Sequence, residues 1–183
     1  MVIRSDTTGF AYFDDVELVS ETVPLLWPLE GGYPGGTILS PFGDDWVRSC
    51  NGLIKKHAGV DVAASVGTEV RSAMTGTVRH VFTDTENGWG QAVVVEDVTG
   101  SFTVVYWHVD ASVSEDDVVN RGDTIGTVAN ISPTTSHLHF GYRQGSYHSA
   151  NSLAGSLPQT VCGEYPAFPE NFVNPANFSF ASW

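Results

Sequence analysis

Basic residues are scarce in this chain of 183 residues: 8 Lys and Arg stand against 21 Asp and Glu, for a formal net charge of −13. Nucleic-acid binding rests on Lys and Arg meeting phosphates, so that class of partner is excluded. The same balance offers no attraction to an anionic surface. Screening confines such effects to about 8 Å at physiological salt, so recognition inside a groove is unaffected. Long apolar runs are also lacking, and none approaches the roughly 20 residues of a membrane span. Sustained helical periodicity is missing as well. What is abundant is glycine, 19 residues, together with Val- and Thr-rich runs. That combination predicts many short strands joined by tight turns, hence a mostly β fold built on an antiparallel sheet with little helix. Hydrophobic residues make up 42% and aromatic ones 11%, enough for one ordinary core and not for two. The chain is therefore read as a monomer with one main domain, residues 25–183, preceded by a tail and linker over 1–24.

The tail has two features. Met1-Val2-Ile3-Arg4-Ser5-Asp6 has no apolar stretch of the kind that leads an exported precursor. The run from Gly9 to Val19 resembles the closing strand of a carbohydrate-binding β-sandwich without its other strands, which suggests a piece of a larger exported protein. Glu21-Thr22-Val23-Pro24 then serves as linker.

Cysteine is nearly absent. Cys50 and Cys162 have no Cys-x-x-Cys neighbour, which argues against zinc binding by sulfur. In an oxidising compartment they are expected to join if their Cα atoms come within roughly 7 Å. The long loop so closed would contribute roughly 4 to 5 kcal/mol by the chain-entropy estimate.

Histidine carries the chemistry. His137 and His139, in Ser-His-Leu-His-Phe, sit at i and i+2, and alternate residues of a strand project from one face. Upstream, His57-Ala58-Gly59-Val60-Asp61 places an imidazole and a carboxylate four residues apart. Gly59 and the β-branched Val60 and Val62 argue for a turn entering a strand rather than a helix. Between them, Thr103-Val104-Val105-Tyr106-Trp107-His108 reads as a buried strand, with Tyr106 and His108 expected on one face. Taken singly, these are a surface histidine pair, a solvated His and Asp, and a core histidine. His80 and His148 read as surface residues.

Taken together, the three segments resemble the lysostaphin and LytM-like zinc metallopeptidases, whose pattern is His-x-x-x-Asp, a Tyr-x-His strand, then His-x-His. Ser40-Pro41-Phe42-Gly43, Gly67-Thr68-Glu69-Val70, Gly76-Thr77-Val78, Gly88-Trp89-Gly90-Gln91 and Arg121-Gly122-Asp123-Thr124-Ile125-Gly126 extend the likeness over roughly residues 37 to 144. Carried over, it implies that His57, Asp61 and His139 bind zinc and that His108 and His137 are catalytic. Two neutral imidazoles and one carboxylate leave a divalent ion net positive, with an open position for water. Such an ion lowers the pKa of that water from about 15.7 towards about 7. The helical His-Glu-x-x-His motif with its glutamate base is absent, so a histidine must carry the proton. His137 is expected as the base and His108 as an oxyanion donor.

The substrate class implied is bacterial peptidoglycan, cut in its peptide cross-links or stems, and the implied location is extracellular or periplasmic. Two other classes compete with this reading. A non-catalytic LytM-like domain that binds the wall or activates a hydrolase generally lacks ligands, whereas all five positions are filled here. A cupin-like iron oxygenase expects a glutamate shortly after the second histidine, and Phe140-Gly141-Tyr142-Arg143-Gln144 stands there instead. Asn51 replaces a tyrosine that some members use to support the oxyanion. Trp89, beyond the Asn87-Gly88 hairpin signal, is a candidate groove-lining aromatic, and Gly145 to Glu170 reads as a loop wall.

Overall fold

The computed structural model describes residues 25–50, 53–83, 88–148 and 171–183, with three short strands at 4–5, 11–12 and 160–162. Among the described residues there is no α-helix, only a 3-10 turn at Pro175–Asn177. No helix among them is long and apolar enough to cross a membrane.

Fourteen strands are present among the described residues. In chain order they are β1 (Arg4–Ser5), β2 (Ala11–Tyr12), β3 (Ile38–Ser40), β4 (Asp45–Cys50), β5 (Leu53–His57), β6 (Val60–Ala63) and β7 (Glu69–Arg71). There follow β8 (Gly76–Thr83), β9 (Gln91–Asp97), β10 (Phe102–Ala111), β11 (Val118–Val119), β12 (Thr124–Val128), β13 (His137–Gln144) and β14 (Thr160–Cys162). Every ladder between them is antiparallel, as the composition predicts. The main sheet runs β11-β8-β9-β10-β13-β6-β3, with β12 joining β10 to β7, and a smaller sheet runs β14-β5-β4.

β10 lies in the middle of the main sheet because its sequence can be covered on both faces. From Thr103 to Val109 every residue is buried, which explains why Val-Val-Tyr-Trp is a continuous apolar run rather than an alternating one. On one face Val104 and Tyr106 join Val60, Val62, Leu138 and Phe140 in the larger core. Trp27 closes that face, its ring 5.3 Å from Phe140 and 5.1 Å from Phe180. On the other face Val105 and Trp107 pack with Ala92 and Val94 under Phe82, Tyr147 and Phe172. The functional side chains lie on this second face, since the residues of β13 and β6 that alternate with Leu138, Phe140, Val60 and Val62 are His137, His139 and Asp61.

One expectation needs revision. Thr160–Cys162 is a strand, so the span from Gly145 to Glu170 is not all loop. The pairing of Cys50 with Cys162 falls on side chains outside those described. Their strands nevertheless flank β5 on its two sides, with Cys50 opposite Leu53 and Cys162 opposite Lys55. The sandwich-strand reading of Gly9 to Val19 also lies outside the described residues, apart from Ala11 and Tyr12, which pair with Ser5 and Arg4.

Candidate metal centre and its histidine pair

Three strands deliver the metal-ligand candidates. β5 ends on His57, Ala58 and Gly59 turn the chain, and β6 begins at Val60, so Asp61 comes back beside His57 as the sequence suggests. Asp61 is directly opposite His139 across the β6–β13 ladder. The turn fits only because residue 59 has no side chain. A Cβ there would lie 2.5 Å from the Phe140 carbonyl oxygen and 2.7 Å from His139 Nε2.

The three ligand atoms converge. His57 Nε2 is 3.1 Å from Asp61 Oδ1 and 2.9 Å from His139 Nδ1, and His139 Nδ1 is 2.8 Å from the same Asp61 oxygen. Ligand atoms around a tetrahedral zinc stand about 3.3 Å apart for bonds of roughly 2.0–2.1 Å, so a small outward relaxation admits the ion. All three residues are buried, His57 and His139 completely.

The chemistry of the donors fits a cation as well. His57 Nδ1 is 3.0 Å from the Pro41 carbonyl oxygen, which can only accept, so the proton sits on Nδ1 and the Nε2 lone pair faces the cluster. This is the outer support that metal-bound histidines characteristically have. The same turn holds the main chain of His57, through Gly43 N to His57 O and His57 N to Asp44 O. Burial pushes the His139 imidazole down to about 4, ahead of the opposing pull of Asp61, so it is neutral at neutral pH. Burial alone would raise the Asp61 carboxyl, but its contacts with His139 and His57 outweigh that and hold it far below the usual carboxylate range. The His57 lone pair, a neutral His139 ring and one carboxylate are thus crowded together. A divalent ion at their centre relieves that crowding. When bound, zinc would supply a polarised water and a Lewis acid for a carbonyl oxygen.

His108 and His137 stand next to this cluster with ring centroids 4.5 Å apart, and both are buried. His137 Nε2 is 3.7 Å from Asp61 Oδ2, the oxygen not shared with His57 and His139. Its Nδ1 donates to the Thr135 carbonyl at 2.7 Å. His108 Nδ1 donates to the Trp89 carbonyl at 2.8 Å. Burial, followed by the neighbouring His137, pushes His108 down to about 3.

His108 reaches this place by breaking the alternation of its strand. It has φ +67, and the β9–β10 register shifts between Trp107 and Val109, which marks a bulge with His108 as the extra residue. Tyr106 therefore does not share its face as expected. The Tyr106 hydroxyl lies in the larger core and accepts from Ala73 N at 2.7 Å, where burial raises it to about 12. A left-handed non-glycine residue costs on the order of 1–2 kcal/mol, a strain that folds tolerate where a side chain must be re-aimed.

All five residues singled out in the sequence are thus brought together. Sequence reasoning missed the carbonyls of Pro41, Thr135 and Trp89, because a main-chain acceptor leaves no residue signature. Trp89 itself is 36% exposed, with its ring 6.4 Å from His108, so it stands beside the site. His148 is exposed, as read. His80 is half-buried, and its Nδ1 pairs with Glu115.

Comparison with known proteins agrees with this geometry. Peptidase family M23 matches residues 55–151, which contain all five site residues. The DD-carboxypeptidase/endopeptidase Mpg of Neisseria meningitidis is 32% identical over 114 residues, 61% of this chain and 26% of that protein. The chain thus spans about a quarter of the length of this relative. A zinc-containing peptidase from Vibrio cholerae superposes with a TM-score of 0.54 at 26% identity, covering 66% of this chain and 37% of the other. The catalytic domain of lysostaphin from Staphylococcus simulans shares the fold, with a TM-score of 0.52 at 23% identity over 63% of this chain and 85% of that domain. The antiparallel sheet, the histidine and aspartate cluster and the extent of the family match together show that this chain belongs to peptidase family M23, the lysostaphin and LytM type of metallopeptidase.

Proposed function

We propose that this chain is a zinc-dependent endopeptidase that hydrolyses peptide bonds in the cross-links or stems of bacterial peptidoglycan, working outside the cytoplasm. The observation that carries the reading is the placement of His108 and His137 beside the His57, Asp61 and His139 cluster. A non-catalytic metal site has no need of two further buried imidazoles, each oriented by a main-chain carbonyl. His57, Asp61 and His139 hold the ion. His108 and His137 carry protons between the nucleophilic water, the carbonyl oxygen and the departing amine. The similarity to an endopeptidase and to a zinc-containing peptidase supports the reaction type.

The experiment is digestion of purified peptidoglycans of differing cross-link chemistry, with and without a chelator, with mass analysis of the released peptides. Metal-dependent release of new amino termini from one cross-link type is expected. An intact peptidoglycan in every zinc-supplied digest would overturn the proposal and favour a binding or activating role.

A further inference from the structure

We propose that the main-chain carbonyl of Trp89 is a positioning group that keeps the ring proton of His108 on Nδ1, so that His108 enters the reaction through an unprotonated Nε2, as a proton acceptor. This rests on the peptidase reading above and deepens it. A carbonyl oxygen only accepts, so the 2.8 Å contact between His108 Nδ1 and Trp89 O needs the proton on Nδ1. A neutral imidazole with its proton there has only a lone pair at Nε2. The oxyanion donor expected at His108 therefore does not exist in the resting ring.

The step that follows is balanced. The nucleophilic water transfers a proton to His108 Nε2 as its oxygen attacks the scissile carbonyl carbon, leaving the O–H electron pair to form the new C–O bond. The Nε2–H so made then donates to the carbonyl oxygen that has become negative. Finally the same proton passes to the amide nitrogen as the C–N bond breaks, and His108 returns to its starting tautomer. Donor and acceptor roles are thus successive in one ring.

The segment bearing the carbonyl is built for the purpose. Gly88 and Gly90 flank Trp89 at φ +68 and +74, conformations that L side chains rarely adopt. Gly90 is also closed in, since a Cβ would lie 2.8 Å from the Ala129 Cβ and 3.1 Å from the Val109 carbonyl. Ala129 N in turn donates to His108 O at 2.8 Å, so the bulge that aims the ring and the turn that presents the carbonyl share one contact network. Two left-handed glycines flank Trp89, and a left-handed histidine stands across the hydrogen bond from its carbonyl.

The test is long-range proton–nitrogen NMR of the zinc-loaded full chain labelled in its histidine rings. His108 is expected to show a protonated Nδ1 and an unprotonated Nε2. Gly90→Ala is expected to give mixed tautomers and a loss of kcat on the order of 100-fold, with KM changed less than about twofold and zinc content unchanged. If Gly90→Ala fails to fold, Gly88→Ala gives the same comparison, because its Cβ meets nothing within 4 Å. A protonated Nε2 in the unmutated protein overturns the proposal. So does a variant that loses kcat with its tautomer intact, or changes tautomer without losing kcat. Failure of the peptidase reading is separate: the unmutated protein would then release no peptide whatever tautomer His108 has.

Discussion

His57 Nε2 and His139 Nδ1 lie 2.9 Å apart although 82 residues separate them in the chain. Asp61, four residues after His57 and directly opposite His139 across the β6–β13 ladder, closes the triangle. Ring nitrogens that close are joined by a shared proton or by a cation, and a cation there sets the order in which substitutions should fail.

Replacing His57, Asp61 or His139 with alanine removes a ligand, so zinc content and activity should fall together. Replacing His108 or His137 should lower kcat about 10²–10⁴-fold, the usual worth of a proton carrier, with zinc still near one per chain. Metal analysis beside a turnover assay separates the two groups. A His108 variant without zinc, or a His57 variant that keeps it, contradicts the assignment.

Gly59→Ala tests the close approach under the ligands. Its methyl group would stand 2.7 Å from His139 Nε2 and 2.5 Å from the Phe140 carbonyl, so the β13 ligand must shift. Overpacking of this kind costs about 1–3 kcal/mol. The expected outcome is a lower melting temperature together with weaker zinc retention in a chelator competition. An unchanged competition curve would show that the ring is not held by this contact.

The pH dependence of folding should report the buried His108. Its folded-state value is depressed to about 3 from 6.5, so between those pH values the unfolded chain binds more protons. Stability therefore rises with pH across that window and is lost as pH falls through it. In the metal-free protein His108→Asn, a residue that tolerates the left-handed backbone, should flatten this part of the denaturation profile. An unaltered profile would mean the ring is not buried neutral.

Asp97 gives a prediction remote from the metal. Burial works against its carboxylate, but hydrogen bonds from Thr99 and Phe102 N prevail and lower its pKa, capping the β9–β10 turn. Asp97→Ala should destabilise the fold by about 1 kcal/mol for the lost hydrogen bonds. That contribution should be present above the ordinary aspartate range and vanish as pH falls through the depressed value. Urea unfolding at neutral and acid pH checks both parts.

The antiparallel sheet was legible in the sequence from strand patterning and turn residues, and the five site residues from their resemblance to the lysostaphin and LytM pattern, which strand alternation and turn geometry support for four of them. His137 and His139 share a face through strand alternation, and Gly59 permits the turn that returns Asp61 to His57. His108 was placed on the face of Tyr106 by the same alternation, and that failed, because nothing in Tyr-Trp-His-Val announces a bulge. The groups that orient the rings, the carbonyls of Pro41, Thr135 and Trp89, belong to the main chain. Their positions follow from turns whose residue types are compatible with many others.

The most direct test of the account is anomalous diffraction at the zinc edge from crystals of the zinc-loaded chain. One peak should lie within about 2.0–2.2 Å of His57 Nε2, His139 Nδ1 and an Asp61 oxygen. A stoichiometric zinc found elsewhere, or bound without Asp61, would contradict it.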